Sequence, residues 1–162
     1  MRINLKQIKN DALKSVPFDY FFSIADVEPK AKEPLHVSGS VYNRADVVQL
    51  TMNIEADLDL TCDRCAKDFK RNKCVLLEAA VVSQIEGEET EGIIVCENDE
   101  LDLDELAGTT FILEMDSKDL CREDCAGLCP MCGADLNTSS CNCSADEIDP
   151  RLLKLRELLL NK

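Results

Sequence analysis

Leu50-Thr51-Met52-Asn53-Ile54-Glu55-Ala56-Asp57-Leu58-Asp59-Leu60 is the stretch that decides the fold. Apolar residues hold every even position and polar residues every odd one, the period of a half-buried strand whose alternate side chains face core and solvent. Upstream, Leu35 to Tyr42 alternates through Val37, Gly39 and Val41, and Asn43-Arg44-Ala45-Asp46 supplies a turn, so the two stretches read as a hairpin. Phe18 to Ile24 is a less regular strand candidate, and the β-branched, apolar run from Cys74 to Ile85 is the next one. Antiparallel β-structure is expected throughout the first half.

The pattern then changes period. Asp102-Leu103-Asp104-Glu105 opens a helix with acidic residues in its first turn, and Leu103, Leu106, Ala107, Thr110 and Phe111 share one face. Asp149-Pro150-Arg151 starts a second helix with Asp at the N-cap and Pro at the first helical position, and its leucines from Leu152 to Leu160 cover more than one face. The expected class is α+β: an antiparallel β-rich body with a C-terminal Cys-rich zinc-binding module and two short helices. In linear order this gives residues 1–85 as the β-rich domain, 86–101 as an acidic loop, and 102–162 as helix, Cys-rich module and C-terminal helix.

Composition bounds the function. The chain has 162 residues, 18 Lys+Arg against 32 Asp+Glu, a formal net charge of -14, one His and 10 Cys. A chain of this length buries enough surface to fold without disulfides. It contains no apolar run of membrane-spanning length, and Met1 to Gln7 lacks the apolar core of a secretory signal, so the expected location is the cytoplasm. Clustered thiols in a reducing cytoplasm point to metal more than to disulfides. The charge is segregated: residues 1–74 sum to +1, 75–128 to -14 and 129–162 to -1.

The cysteines are segregated too. Cys129-Pro130-Met131-Cys132-Gly133 is a C-x2-C knuckle, where a tight turn brings two sulfurs to one point and Gly133 supplies a backbone free to take positive φ. Cys141 and Cys143 follow closely, so Cys129, Cys132, Cys141 and Cys143 are candidate ligands of a four-thiolate zinc site. Cys62-Asp63-Arg64-Cys65, at the end of the long strand, is a second knuckle. Two sulfurs cannot close a tetrahedron, and Cys121 and Cys125 are the available complement. A redox dithiol and unliganded structural thiols are the other readings of Cys62 and Cys65. Cys74 and Cys96 lie at no ligand spacing and default to small buried residues, His36 reads as structural, and the Asn137-Thr138-Ser139 sequon has no meaning in a protein that is not secreted.

The string from Leu120 to Asn137, then Cys141-Asn142-Cys143 and Asp149-Pro150-Arg151-Leu152, resembles the bacterial YceD family, and Cys62-Asp63-Arg64-Cys65 matches its C-x-R-C element. Members are called large ribosomal RNA subunit accumulation proteins. The resemblance implies a cytoplasmic, metal-binding bacterial protein acting in accumulation or maturation of large-subunit ribosomal RNA, and it carries over no catalytic residue. Ala66 and Lys67 stand where members commonly have a bulky apolar residue.

An RNA-binding role requires a local basic surface on this acidic chain. Arg64, Lys67, Lys70, Arg71 and Lys73 supply five cations within ten positions and are the RNA-contact candidates. The expected partner is a ribosomal RNA precursor or a large-subunit ribosomal protein, with no membrane and no small-molecule substrate. No phosphate loop, no nucleophile with a base and no open metal-site signature is legible, so the expectation is a nonenzymatic factor. The alternative is a thiol-based redox or zinc-responsive regulator that binds proteins.

Overall fold

The computed structural model describes residues 1–9, 15–24, 31, 34–84, 92–96 and 98–143. These fall into two compact units: Met1–Leu60 with Phe69–Ser117, and Thr61–Asp68 with the described part of Lys118–Lys162. Sequence order is therefore not domain order. The tip of the long hairpin is grouped with the Cys-rich segment, whereas the helix expected in the C-terminal segment is grouped with the β-rich body.

The first unit runs β1 (Arg2–Asn4), α1 (Lys6–Lys9), β2 (Ser15–Phe22), β3 (Leu35–Arg44), β4 (Val47–Thr61), β5 (Asp68–Val82), β6 (Ile93–Val95), β7 (Glu100–Asp102) and α2 (Leu103–Leu113), β4 and β5 extending to Thr61 and Asp68 of the second. A five-stranded sheet has the order β2-β3-β4-β5-β6, and β1 pairs antiparallel with β7. β4 follows its sequence period: Val48, Leu50, Met52, Ile54, Ala56, Leu58 and Leu60 are all buried. Its antiparallel register with β3 sets Val37 opposite Ile54 and Val41 opposite Leu50, so one sheet face becomes core. The β3–β4 turn is tighter than expected, with only Ala45 (φ 52) and Asp46 (φ 63) at its apex, the left-handed pair that matches strand twist in a two-residue hairpin. Asn43 is instead buried in β3 and donates through Nδ2 to the Ile8 carbonyl at 3.1 Å and the Lys9 carbonyl at 3.3 Å, closing α1.

Two expectations need correction. β5 starts at Asp68 rather than Cys74 and ends at Val82, because the alternation of Phe69, Arg71 and Lys73 with Asp68, Lys70 and Asn72 is amphipathic without being apolar. Asn72 donates to Asp57 of β4 at 2.9 Å, and the connection 62–67 is too short for anything but antiparallel pairing. The sheet is also mixed. The stretch expected to be an acidic loop, 86–101, contains β6, which runs parallel to β5 with Ala80 opposite Ile93 and Val82 opposite Val95. Three β-branched residues set among acidic ones were enough to pair.

α2 forms where its signals place it. Asp102 is the N-cap and accepts from the Asp104 amide at 3.1 Å and the Glu105 amide at 3.4 Å. Leu103, Ala107 and Phe111 are fully buried and join the core of the sheet unit, which is why the helix belongs there. The helix expected from Asp149 lies outside the described residues.

Gly39 is where the sheet is tightest. It faces Phe18 in β2 and Met52 in β4, and a Cβ there would overlap the Thr51 carbonyl oxygen and lie 2.8 Å from Phe18 Cζ. Both obstacles are fixed, one being backbone and the other a core ring. Gly39→Val should therefore cost about 1–3 kcal/mol of stability, read from the midpoint of urea unfolding, whereas Ser40→Val on the opposite face should leave the midpoint near its wild-type value.

Candidate metal centres

The second unit is built on two C-x2-C knuckles with the same backbone. In the first, the Cys62 amide donates to the Lys67 carbonyl at 2.9 Å and the Ala66 amide to the Cys62 carbonyl at 2.8 Å. In the second, the Cys129 amide donates to the Ala134 carbonyl and the Gly133 amide to the Cys129 carbonyl, both at 2.8 Å. The residue after the second Cys of each knuckle has positive φ, 54 at Ala66 and 73 at Gly133. Gly133 takes this conformation freely, while Ala66 holds it against its own Cβ.

Each knuckle gathers two further cysteines. Cys62, Cys65, Cys121 and Cys125 bring their sulfurs within 4.8 Å of one another, and so do Cys129, Cys132, Cys141 and Cys143. Cys62 Sγ lies 3.8 Å from Cys125 Sγ, and Cys65 Sγ lies 3.7 Å from Cys121 Sγ. A tetrahedral metal with Zn–S bonds of about 2.3 Å has S···S edges of about 3.8 Å, the length of these two edges of the first cluster. Such a donor set suits a soft or borderline cation. All ten cysteines are free thiols. Cys74 is exposed and donates to Asn53 Oδ1 at 3.0 Å, Cys96 is buried and donates to the Glu100 carbonyl at 3.0 Å, and neither belongs to a cluster. His36 is likewise apart, stacked on Phe21 and bonded through Nε2 to Asp19 at 2.8 Å.

The electrostatics of the two clusters run in parallel. Backbone amides, those of Cys121, Cys65 and Arg64, lower Cys62 to about 6, and the amides of Cys132 and Met131 lower Cys129 to about 6. Burial pushes Cys121 up to about 12, and hydrogen bonding with the Cys132 thiol, then burial, pushes Cys143 up to about 12. One sulfur per cluster thus favours the thiolate near neutral pH while a neighbour holds its proton, which metal binding would have to displace. The clusters differ in access. Cys62, Cys65 and Cys125 are buried and Cys121 half-buried, whereas Cys132 and Cys143 are exposed.

Several supporting residues are unremarkable in the sequence. The Asp63 amide donates to the Asp119 carbonyl at 2.8 Å, and the Asp119 amide returns a bond to Asp63 Oδ2 at 2.7 Å, a reciprocal clamp that carries the chain toward Cys121. Gly127 (φ 77) passes against Arg64, where a Cβ would meet the Arg64 carbonyl at 3.0 Å. Asn137, which follows Cys132 in sequence, donates through Nδ2 to Cys125 Sγ of the first cluster at 3.5 Å. In the sequence it was legible only as the end of the family-like string and as a sequon.

The cations proposed for RNA are largely engaged within the protein. Arg64 Nη1 donates to the Cys125 carbonyl at 2.9 Å and the Glu123 carbonyl at 3.3 Å, bracing the first cluster. Lys67 pairs with Asp135 at 2.6 Å, Arg71 and Lys73 share Asp116 at 3.2 and 3.5 Å, and Lys70 lies 3.6 Å from Asp59. Lys70, at 86% exposure, is the most accessible of the four Lys and Arg residues in these ion pairs. The second unit also exposes apolar side chains: Met131 is 61% exposed, Leu128 39% and Leu136 36%.

A family model described as large ribosomal RNA subunit accumulation protein YceD matches residues 50–159, which include both clusters. No curated protein and no solved structure matches the chain.

The two positive-φ positions separate backbone strain from crowding, because a Cβ at Gly133 would meet nothing within 4 Å. Gly133→Val should destabilise the second knuckle by about 1–2 kcal/mol through φ alone, whereas Ala66→Gly should be neutral or stabilising. Hydrogen exchange at the Gly133 and Ala66 amides checks both, with faster exchange expected only in the valine variant.

Proposed function

The chain belongs to the large ribosomal RNA subunit accumulation protein family, YceD, as its match over residues 50–159 shows, and from that premise we propose that it is a nonenzymatic, cytoplasmic assembly factor. It acts by binding, through a surface that two zinc ions organise, and its target is a large-subunit ribosomal protein or the ribosomal RNA precursor. The observation that carries the zinc reading is the sulfur geometry of Cys62, Cys65, Cys121 and Cys125, whose 3.7 and 3.8 Å separations fit a tetrahedral four-thiolate site. A resident Zn²⁺ there would act as a structural crosslink. Each C-x2-C pair has two further sulfurs beside it, which favours a closed metal site over a redox dithiol.

Between the two partner classes, side-chain engagement favours protein. Arg64 and Lys67 are committed inside the metal unit, and the same unit presents Leu128, Met131 and Leu136 to solvent. Exposed apolar side chains on a rigid scaffold suit a protein partner better than a phosphate backbone.

Two experiments test this reading. Elemental analysis of purified protein should find two zinc equivalents, falling by one in Cys65→Ser/Cys121→Ser and by one in Cys132→Ser/Cys143→Ser; a metal-free wild-type protein that keeps its fold would refute the zinc role. In gradient sedimentation of cell extracts, the protein should travel with large-subunit precursors, and Met131→Ser/Leu136→Ser should release it with zinc content intact. If Lys70→Glu releases it instead, with steep salt dependence, RNA is the target. Absence from precursor fractions under crosslinking would overturn the assembly reading.

A further inference from the structure

Asn137 belongs to the loop between Cys132 and Cys141 of one cluster, yet its side chain reaches the other. Its Nδ2 donates to Cys125 Sγ at 3.5 Å and to Asp135 Oδ1 at 2.7 Å. Its Oδ1 accepts from the Ala126 amide at 2.8 Å and from Arg122 Nη2 at 2.7 Å. Two donors face the oxygen and two acceptors face the nitrogen, so a flipped carboxamide would set donors against donors and the orientation is determined. The surrounding loop is fixed as well. Asp135 takes the Asn137 amide at 2.9 Å and Lys67 at 2.6 Å, and the Leu136 amide donates to the Gly127 carbonyl at 2.9 Å.

Resting on the reading of both clusters as metal centres, we propose that Asn137 is a positioning residue that couples them, its carboxamide on Cys125 Sγ making occupancy of each centre favour the other. An N–H directed at a metal-bound thiolate offsets part of its charge and fixes its direction, and residues in that outer role typically change metal affinity by roughly 10–100-fold when lost. Here the donor is supplied by a loop whose two ends, Cys132 and Cys141, are ligand candidates of the other centre. Metal at Cys129, Cys132, Cys141 and Cys143 holds that loop closed and keeps Asn137 in place. Linkage makes the effect reciprocal.

The test is Co²⁺ titration of the full chain, following the thiolate-to-cobalt charge-transfer band and competing with a chelator of known affinity. The first centre is read alone in Cys132→Ser/Cys143→Ser, where its affinity should fall by roughly 10-fold or more relative to wild type. Asn137→Asp keeps an oxygen for Ala126 and Arg122 but turns an acceptor toward Cys125 and Asp135. It should produce the same loss and a shifted charge-transfer band at the first centre, with the second still filled. Asn137→Leu, which removes the donor without adding charge, should do likewise. Combining Asn137→Leu with Cys132→Ser/Cys143→Ser should add nothing further, since both remove one interaction. Wild-type affinity and band position in both Asn137 variants would overturn the coupling while leaving two metal centres standing. Failure of the wild-type chain to develop any charge-transfer band would instead overturn the metal reading itself, and the coupling with it.

Discussion

A pair of sulfurs cannot complete a tetrahedron, and in the second unit each C-x2-C pair is joined by two further cysteines. The first knuckle occupies the short connection between two fifteen-residue strands, so β4 and β5 hold Cys62 and Cys65 close together. Completing the set requires Cys125 and Cys121, which lie 63 and 56 residues further along the chain from their respective sulfur partners. The surrounding bonds all serve that meeting. Asp63 and Asp119 exchange amides, Arg64 reaches across to two carbonyls, and Gly127 lets the chain pass with no Cβ in the way. The second knuckle repeats the backbone of the first but finds its partners locally, in Cys141 and Cys143, and its loop braces the first cluster through Asp135 and Asn137.

Charge then constrains what such a unit can bind. The formal total of -14 comes from the middle of the chain, and each Zn²⁺ held by four thiolates would contribute about -2 more. Within the basic cluster at 64–73, Lys67, Arg71 and Lys73 face Asp135 and Asp116 and Arg64 faces carbonyls, and Lys70 is the most exposed of the four in ion pairs. Ion pairs between exposed side chains are weak, so some of these cations can be recruited by a stronger anion at small cost. Arg64 is different, since withdrawing it leaves the Cys125 carbonyl beside the first cluster without its donor. A contact that spares Arg64 and uses exposed Leu128, Met131 and Leu136 keeps the unit intact.

What was legible in the sequence is what a single local period or spacing can carry. β4 could be read because its even positions are apolar without exception, α2 because Asp102 caps it, and the knuckles because C-x2-C is a local geometry. The eight ligand candidates were found by spacing and arithmetic, including the match of Cys62 and Cys65 with Cys121 and Cys125. The rest failed for a common reason: the decisive interaction is not in the neighbouring residues. The start of β5 is polar in composition and is strand only because β4 lies beside it, and β6 is three residues whose pairing is parallel and distant. Arg64 read as a free cation because the carbonyls it bonds belong to residues 123 and 125. Asn137 could be read as part of the family-like string and as an empty sequon, but no local spacing pairs its side chain with Cys125.

The separation of these sulfurs also sets what each cluster costs to close. Closing a flexible loop of this length costs on the order of 3–4 kcal/mol in chain entropy, and an unfolded chain offers the metal no advantage in meeting that cost. The intervening residues, however, are Phe69–Ser117, and they belong to the first unit. Once β5, β6, β7 and α2 have formed on the core of Leu103, Ala107 and Phe111, that segment is no longer a flexible loop. Most of the closure cost has then been offset by burial of the sheet's apolar face rather than by sulfur. The second cluster closes the shorter span from Cys129 to Cys143, which by the same relation costs only about 1 kcal/mol less. Closing the second cluster is therefore a matter of its own short segment, whereas closing the first draws on the folding of residues 69–117.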